Sequence, residues 1–517
     1  MLILSSYAGH WLRLVTALSS SHAKLYVAGR RNTYLANHFL DELNCHFFVY
    51  SPASRRWAVN ACLVFHYHSY LNLLSLRYLD PWPYPVSTIL RENEFSKEFT
   101  SGSVKAYDSN QLASNYPIED TRCEAQCQLT TGLLVGIFDG HGGGACAQVI
   151  SKRLFHYIAA SLLPPDTLHQ YVSSDERQDL IQTFNDKMDI VEDLKPLYKQ
   201  SFEKFLNELS TVINDKDHFE MTTVLESAFL RLDSDISKEV TDSFELTGKV
   251  NRKTLSVAVS GACACVAHVD GQHLHVASVG DCNAVIGGLS ENNDWIANKI
   301  TVEHNSDNNK EVQRILSEHP PSEKDSVIKY DRLLGQLAPL RCLGDLRYKW
   351  SKEILNKIVV PTLGSQVVPP DYHTPPYLSA QPDVFHYRLT PRDKFMVIAS
   401  DGLWDMMSPH QVVKLVGEHM MGKVFFTPLK LQHKDMQLGD INDVLKHRKE
   451  GLKSKPIDKN AATHLIRHAL GGTDYGVEHS RLSEMLTLPQ DISRLFRDDI
   501  SVTVIYFDTE YLRYCPA

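Results

Sequence analysis

Carboxylates stand at four widely separated places in this chain of 517 residues, each at the edge of an apolar run. They are Glu119 with Asp120, Asp139, Asp401, and Asp498 with Asp499. A carboxylate beside a buried strand is costly to place unless a cation or a hydrogen-bond donor accompanies it. Oxygen ligands suit hard cations such as Mg²⁺ and Mn²⁺, and two such ions close together can activate one water molecule. The pattern therefore indicates a hydrolytic site with two metal ions.

The elements that position these acids can be read from the residues around them. Residues 132–138 are apolar and run into Asp139, and the glycine-rich turn 140–144 follows. In the next segment apolar residues recur every fourth position, at Ile150, Leu154, Ile158 and Leu162. This order predicts a strand, a turn and a helix with one buried face. Residues 394–400 and 500–506 predict further strands, which carry the later acids at their edges.

Seven short motifs, in this order along the chain, resemble those of the metal-dependent protein serine/threonine phosphatases of type 2C. They occupy residues 117–120, 135–143, 260–264, 279–281, 341–345, 399–405 and 497–501. The resemblance covers residues from about 104 to 506. It implies an α+β fold, a four-layer sandwich in which two antiparallel β-sheets are flanked by α-helices. It also implies hydrolysis of phosphoserine in proteins by water activated between two Mg²⁺ or Mn²⁺ ions.

The resemblance carries site residues over position by position. The ligands it implies for the two metal ions are Asp139 as the bridge, the Gly140 carbonyl, Glu119, Asp401 and Asp498. Asp120 is expected to hold a water molecule of the metal site. His141 is expected to act as a general acid that protonates the departing serine oxygen. No covalent phosphoenzyme is required.

Two departures from the family pattern bear on the site. Asn115 stands where the family usually has an arginine that binds the substrate phosphate in a bidentate manner. A neutral amide at this substrate-binding position predicts weaker phosphate binding, or binding by a group from elsewhere in the chain. Some members bind a third metal ion through an aspartate whose place is taken here by Ala258, so a third site is not expected.

Further stretches resemble one subgroup of this family, the catalytic subunits of mitochondrial pyruvate dehydrogenase phosphatases. They occupy residues 86–94, 108–112, 115–120, 370–378 and 460–469. The resemblance implies that the client is the phosphorylated α subunit of pyruvate dehydrogenase. It also implies docking on the lipoyl domain of dihydrolipoamide acetyltransferase, assisted by Ca²⁺, and a regulatory subunit as a further partner. The chain has no EF-hand loop, so Ca²⁺ is expected at a partner interface.

Composition sets the broad class. Hydrophobic residues make up 43% of the chain and charged residues 22%, which is typical of a globular protein with an ample core. The net charge of −9 argues against general nucleic-acid binding, and no apolar stretch reaches the length of a membrane span. Because the acids must converge, residues 81–510 are predicted to form one catalytic domain. It has insertions at about 164–250 and 420–459, a packed helical segment and a solvated loop, either of which could also serve for docking.

The N-terminal segment differs from the rest of the chain in composition. Residues 1–40 contain several serines and the basic residues Arg13, Lys24, Arg30 and Arg31, but no acidic residue. This composition is typical of a mitochondrial targeting segment and predicts location in the matrix. Residues 41–80 match no pattern and stay unassigned.

Three alternatives remain open at this point. A different two-metal hydrolase, such as a nuclease, would use similar acids, although the acidic balance argues against it. A catalytically inactive scaffold would keep the fold but not the reaction. A mitochondrial type 2C phosphatase with another client would share every catalytic residue.

Overall fold

The computed structural model describes residues 84–185, 192–212, 220–423, 437–451, 456–473 and 476–515. All of them belong to the unit Pro83–Ala517. The predicted targeting segment and the unassigned residues 41–80 lie outside the described residues. None of the described helices combines the length and the apolar character needed to cross a membrane.

Within the described residues, thirteen strands build two sheets, and every pairing in them is antiparallel. The strands are β1 (Phe95–Glu98), β2 (Val104–Leu112), β3 (Thr121–Cys127), β4 (Leu133–His141), β5 (Ile181–Thr183), β6 (Gly261–Asp270), β7 (His273–Val279), β8 (Asn283–Leu289), β9 (Trp295–Lys299), β10 (Leu343–Gly344), β11 (Asp383–Arg388), β12 (Asp393–Ala399) and β13 (Ile500–Phe507). The first sheet has the order β1-β2-β13-β12-β8-β9. The second has the order β11-β7-β6-β4-β3-β5, and β10 pairs with β6.

The described helices of eight or more residues connect strands, except for the first, which precedes β1. They are α1 (Tyr84–Arg91), α2 (Ala145–Ser161), α3 (Pro165–Ser173), α4 (Lys195–Val212), α5 (Met221–Thr247), α6 (Arg252–Val259), α7 (Asn309–Glu318), α8 (Pro409–Met420), α9 (Leu438–Gly451), α10 (Ala461–Gly471) and α11 (His479–Leu486). Shorter helices are Lys324–Val327, Lys352–Ile354, Leu355–Val359, Val360–Leu363, Asp401–Trp404, Gln490–Ser493 and Thr509–Tyr514, and single 3₁₀ turns are Glu192–Leu194, Pro321–Glu323, Leu346–Tyr348 and Ser365–Val367. Two small hairpins pair Ile328–Lys329 with Arg332–Leu333 and Gly472–Thr473 with Gly476–Val477.

Strand β12 shows how the two sheets share the core. Met396 and Ile398 lie in the hydrophobic cluster that also contains the second sheet and α2. Phe395 and Val397 point the opposite way, into the cluster formed with α8 and α10. This period of two follows from the pleat of a strand buried on both faces. The result is four layers, helix, sheet, sheet and helix, and the fold class predicted from the sequence is confirmed.

Helix α2 begins directly after the predicted glycine turn, as the fourfold apolar spacing indicated. Its residues Ile150, Leu154 and Ile158 are fully buried against the second sheet. A different start signal opens α8, where Ser408 and Gln411 form a reciprocal capping box and Pro409 occupies the first turn. These two helices cover opposite outer faces of the sandwich.

The two predicted insertions behave differently. In the first, α5 packs on α2 through buried Leu225, Phe229, Leu232 and Ile236, so a packed helical segment is present. The second was predicted to be a solvated loop, and this was wrong for Leu438–Gly451, which is a helix. Leucine, lysine and glutamate have high intrinsic helix propensity, which does not depend on burial. Leu438 in this helix is 86% exposed. The boundaries of both insertions stay predictions.

Candidate active site

Three carboxylates from separate loops and strand ends meet in the structure. Asp139 lies near the end of β4, Asp281 lies in the turn between β7 and β8, and Asp401 follows β12. One oxygen of each lies within 4.8 Å of an oxygen of the other two. Three converging carboxylate oxygens form the donor set of a hard divalent cation. The motif at 279–281 contains Asp281, but the sequence alone predicts no ligand role for it.

The crowding of these acids changes their proton affinity. Burial, followed by the charges of Asp120 and Asp401, raises the pKa of Asp139 well above its ordinary value. Burial and the charge of Asp281 raise the pKa of Asp401 to about 8. Without a cation, the surroundings of Asp139 and Asp401 thus strongly favour the protonated form of these acids over the ionised form. A divalent cation fits this site, because it would supply the positive charge that the acids lack.

Two glycines allow the acid-bearing segments to approach one another. A Cβ atom on Gly140 would collide with the backbone carbonyl oxygen of Glu119. A Cβ atom on Gly402 would collide with the backbone carbonyl oxygen of Asp499. Each glycine directly follows one acid and touches the backbone of another, so both positions require close backbone approach. The Asp-Gly pairs therefore bring distant parts of the chain into one site.

Glu119 and Asp120 point in different directions from the segment before β3. The Oε1 atom of Glu119 accepts a hydrogen bond from the backbone N–H of Gly143, at 2.6 Å, in the glycine turn. Asp120 is 2% exposed, and its Oδ2 accepts from the hydroxyl of Ser400 at 2.8 Å. Burial and the charge of Asp499 raise the pKa of Asp120 to about 7. Both acids lie beside the Asp139 and Asp401 segments, as the sequence predicted.

Asp498 and Asp499 are adjacent in sequence but have different surroundings. The side chain of Asp499 accepts from the backbone N–H groups of Ser114, Asn115 and Glu119 and from the Asn115 amide. It is 2% exposed and thus fixes the loop that carries Glu119. The side chain of Asp498 is 41% exposed, and its Oδ1 accepts only from the N–H of Asp499 among the backbone groups described. The side chain of Asp498 is therefore accessible from solvent, whereas Asp499 holds the loop.

His141 makes a contact that the sequence did not reveal. Its Nε2 lies 2.6 Å from Oδ2 of Asp345. Burial lowers the pKa of His141, but the Asp345 carboxylate outweighs burial, and the net pKa is raised. Asp345 adopts a left-handed conformation with φ of 46° directly before the short helical turn Leu346–Tyr348. An imidazole whose charge is stabilised in this way is suited to donate a proton.

Asn115 lies beside the carboxylates and accepts a hydrogen bond from Arg494. The amide nitrogen of Asn115 donates to Asp499 at 3.0 Å and faces Asp498 at 3.5 Å. Its Oδ1 accepts from Nη1 of Arg494 at 2.7 Å, and the same Nη1 donates to Glu119 at 2.7 Å. Sequence reasoning missed Arg494. Its signal was the spacing of four residues between two opposite charges, Arg494 and Asp498, and the structure places Nη2 of Arg494 3.8 Å from Oδ2 of Asp498.

The structure therefore gathers the residues to which the sequence assigned roles. Contacts link Asn115, Glu119, Asp120, Asp139 with Gly140, His141, Asp401 and Asp498 into one region at the edges of the two sheets. Their individual roles stay predictions.

Comparison with known proteins agrees with this geometry. The sequence model of the family described as Protein phosphatase 2C matches residues 198–437. The chain is 42% identical over 448 residues to pyruvate dehydrogenase (acetyl-transferring)-phosphatase 1, mitochondrial, of Homo sapiens, covering 83% of each chain. It is 43% identical over 452 residues to human phosphatase 2 of the same description, covering 83% of this chain and 84% of the relative. The Saccharomyces cerevisiae phosphatase 1 is 30% identical over 438 residues, covering 78% and 68%.

The fold, the converging acids and these relatives define a metal-dependent protein phosphatase. The chain belongs to the protein phosphatase 2C family and is a protein serine/threonine phosphatase. Its mitochondrial location, predicted from the sequence, is confirmed by the relatives, which are described as mitochondrial.

Proposed function

We propose that this phosphatase removes phosphate from phosphoserine of the pyruvate dehydrogenase α subunit in the mitochondrial matrix and so reactivates that enzyme. The observation that carries the proposal is the meeting of Asp139, Asp281 and Asp401 in a chain 42% identical to human pyruvate dehydrogenase phosphatase 1. The acids account for the hydrolysis and the relative for the client. The two parts are tested separately.

Two divalent cations, Mg²⁺ or Mn²⁺, fit the donor set of the site. Asp139 with the Gly140 carbonyl would hold one ion, and Asp139, Glu119, Asp401 and Asp498 would serve the other. Metal ions in such a site supply an activated water molecule and compensate the phosphate charge. Two observations support the second ion: the charge of Asp498 acts on Asp401, and Glu119 is bonded to the glycine turn that follows Asp139.

The protein's own groups prepare the reaction around these ions. Asp120, bonded to Ser400, is placed to orient a water molecule beside Asp139. His141, bonded to Asp345, holds the proton that the serine oxygen needs when it leaves. A serine alkoxide is a poor leaving group, so a donated proton lowers the barrier most for this substrate class.

Two assays test the reaction and the client. Chelation should abolish hydrolysis of a phosphoserine peptide, and added Mg²⁺ or Mn²⁺ should restore it. Rates should then be compared on phosphorylated pyruvate dehydrogenase and on a panel of other mitochondrial phosphoproteins. Equal rates across the panel would leave the phosphatase but remove the client. No metal-dependent hydrolysis of any phosphoprotein would favour the inactive scaffold.

The docking partners are part of the same proposal. We infer that the chain binds the lipoyl domain of dihydrolipoamide acetyltransferase, that Ca²⁺ at the shared interface strengthens this binding, and that a regulatory subunit joins the complex. Docking would raise the local concentration of the phosphoserine and offset a weak phosphate pocket. Pull-down with lipoylated and unlipoylated domain, with and without Ca²⁺, tests this. Indifference to lipoylation and to Ca²⁺ would contradict it, and a control titration should show little high-affinity Ca²⁺ binding by the phosphatase alone.

A further inference from the structure

We propose that Arg494 supplies the guanidinium that binds the substrate phosphate, and that Asn115 positions this guanidinium instead of binding the phosphate itself. This inference rests on the proposed phosphatase reaction and adds a residue for its substrate. It begins from the charge of the site. A phosphate dianion must approach a wall of carboxylates, and a fixed positive charge at the rim of that wall would favour its approach.

The contacts of Arg494 hold one side of its guanidinium by hydrogen bonds and leave the other side without one. Its Nη1 donates to Asn115 and to Glu119, both at 2.7 Å. Its Nη2 forms an ion pair with Oδ2 of Asp498 at 3.8 Å, a distance too long for a hydrogen bond. Among the described residues, neither Nε nor Nη2 has a hydrogen-bond partner. The Nε and Nη2 hydrogens form the edge of a guanidinium that binds two oxygens of one phosphate in parallel.

Exposure and location agree with this role. The side chain of Arg494 is 48% exposed, so the free edge is open to a ligand from solvent. Its anchoring partner Glu119 is only 15% exposed and is fixed from the other side by the Gly143 N–H. Arg494 is therefore attached at a defined place beside a predicted metal ligand. A cation bound to Glu119 and Asp498 would weaken their hold on Arg494 and favour its pairing with phosphate.

Asn115 cannot serve the phosphate in the same way. Its amide nitrogen, the only donor of the side chain, is directed to Asp499 and Asp498. Its carbonyl oxygen repels phosphate and is covered by Arg494. The amide thus connects the loop fixed by Asp499 to the guanidinium. The positive charge that the sequence lacks at position 115 is supplied from 379 residues further along the chain.

Binding of orthophosphate to the Mn²⁺-loaded protein tests the proposal directly. Isothermal titration calorimetry should show that Arg494→Gln weakens orthophosphate binding by about 10-fold to 100-fold, the range of a charge-assisted hydrogen-bond pair. KM for an aryl phosphate should rise by a similar factor, with a smaller change in kcat. Arg494→Lys should recover only part of the binding, because a point charge cannot form the bidentate contact. Arg481→Gln on α11, which removes an exposed arginine elsewhere, should change neither quantity.

Relocating the guanidinium separates this role from a structural one. The double variant Asn115→Arg with Arg494→Asn should restore orthophosphate binding to within a few-fold of the parent protein. Mn²⁺ affinity, followed by the free-ion electron paramagnetic resonance signal, should rise in Arg494→Gln, because Glu119 and Asp498 lose a competing positive charge. Unchanged orthophosphate binding in Arg494→Gln, whatever the change in Mn²⁺ affinity, would overturn the proposal and leave Arg494 as a neutraliser of Glu119. Calorimetry measures orthophosphate binding without any turnover, and thermal melting confirms that each variant is folded. A wrong phosphatase assignment would appear separately, as the absence of turnover by the parent protein.

Discussion

Asp345 places a carboxylate oxygen 2.6 Å from Nε2 of His141, although 204 residues separate the two in sequence. An imidazolium has an N–H on both nitrogens, so one can bond Asp345 while the other carries a proton for the leaving group. The carboxylate thus fixes the ring and stabilises its charged form. This relationship makes Asp345 a positioning residue for the proposed general acid.

The variant Asp345→Asn tests this relationship. Asparagine tolerates the left-handed backbone at position 345, so the fold should be retained. Hydrolysis of a phosphoserine peptide should slow, by no more than the roughly 10²-fold to 10⁴-fold contribution of a general acid. The limb of the pH–rate profile that reports the acid should also move to lower pH. A merely structural Asp345 would lower the rate without moving that limb.

Removing the histidine itself should separate substrates by their leaving groups. In His141→Gln, hydrolysis of the phosphoserine peptide should fall by roughly 10²-fold to 10⁴-fold. An aryl phosphate, whose leaving group needs no proton, should lose much less. Steady-state kinetics on both substrates provide the measurement. Equal losses on the two substrates would show that His141 does not act as the acid.

Asp139→Asn should uncouple activity from stability. Loss of the carboxylate should abolish metal-dependent turnover. In the absence of metal, however, the variant should melt at a higher temperature than the parent, because Asp139 is crowded by Asp120, Asp281 and Asp401. Two unit charges 4 Å apart repel by about 4 kcal/mol at an effective dielectric constant of 20, which is an upper bound here. Thermal melting in a chelator, repeated with excess Mg²⁺, measures both effects, and an unchanged or lower metal-free melting temperature would argue against charge crowding.

The sequence predicted those parts of the site that depend on local pattern. Strand β4, the glycine turn and α2 follow from periodicity and composition, and the acids Asp139 and Asp401 follow from the strand ends. The partners of these residues could not be predicted in the same way. Asp345 lies in a left-handed turn and Arg494 in the turn after the short helix Gln490–Ser493, and their contacts depend on how distant loops meet across the sandwich. Helix α9 was missed because its few apolar residues are outnumbered by polar ones, and two of them, Leu438 and Leu445, are exposed.

A cluster of histidines predicts acid sensitivity away from the site. His464 on α10 lies against His419 and His468, with ring centroids 4.8 and 4.4 Å apart. Burial and these neighbours lower the pKa of His464 well below its ordinary value, and burial lowers that of His468 to about 4. Arg467 adds to this effect, whereas Asp458 opposes it at His468.

The sign of the resulting pH dependence follows from the depressed values. Below about pH 6.5 the unfolded chain binds more protons at these histidines than the folded chain does. The free energy of unfolding should therefore fall as the pH drops from about 6.5 toward about 4, by roughly 1.4 kcal/mol per pH unit for each histidine. Urea unfolding at several pH values measures the slope. His468→Gln should flatten it, and an identical slope in this variant would contradict the assignment.

Asp498 and Asp499 offer a matched pair, because the same substitution at neighbouring positions should have opposite consequences. Asp499→Asn replaces one acceptor oxygen by an NH₂ group, while four N–H groups of the described residues point at the two oxygens. Either orientation of the amide leaves buried donors facing a donor, at a cost of about 1–3 kcal/mol for each unsatisfied group. The loop of Glu119 should loosen, so the melting temperature should fall and Mn²⁺ affinity should weaken with it.

Asp498→Asn should leave the melting temperature of the metal-free protein nearly unchanged, since its side chain is 41% exposed. Mn²⁺ affinity should nevertheless fall, because a predicted ligand has lost its charge. Thermal melting in a chelator and Mn²⁺ titration of both variants give a two-by-two comparison. If Asp498→Asn destabilised the fold as much as Asp499→Asn, or left Mn²⁺ binding intact, the division between a cation-binding and a loop-holding aspartate would be wrong.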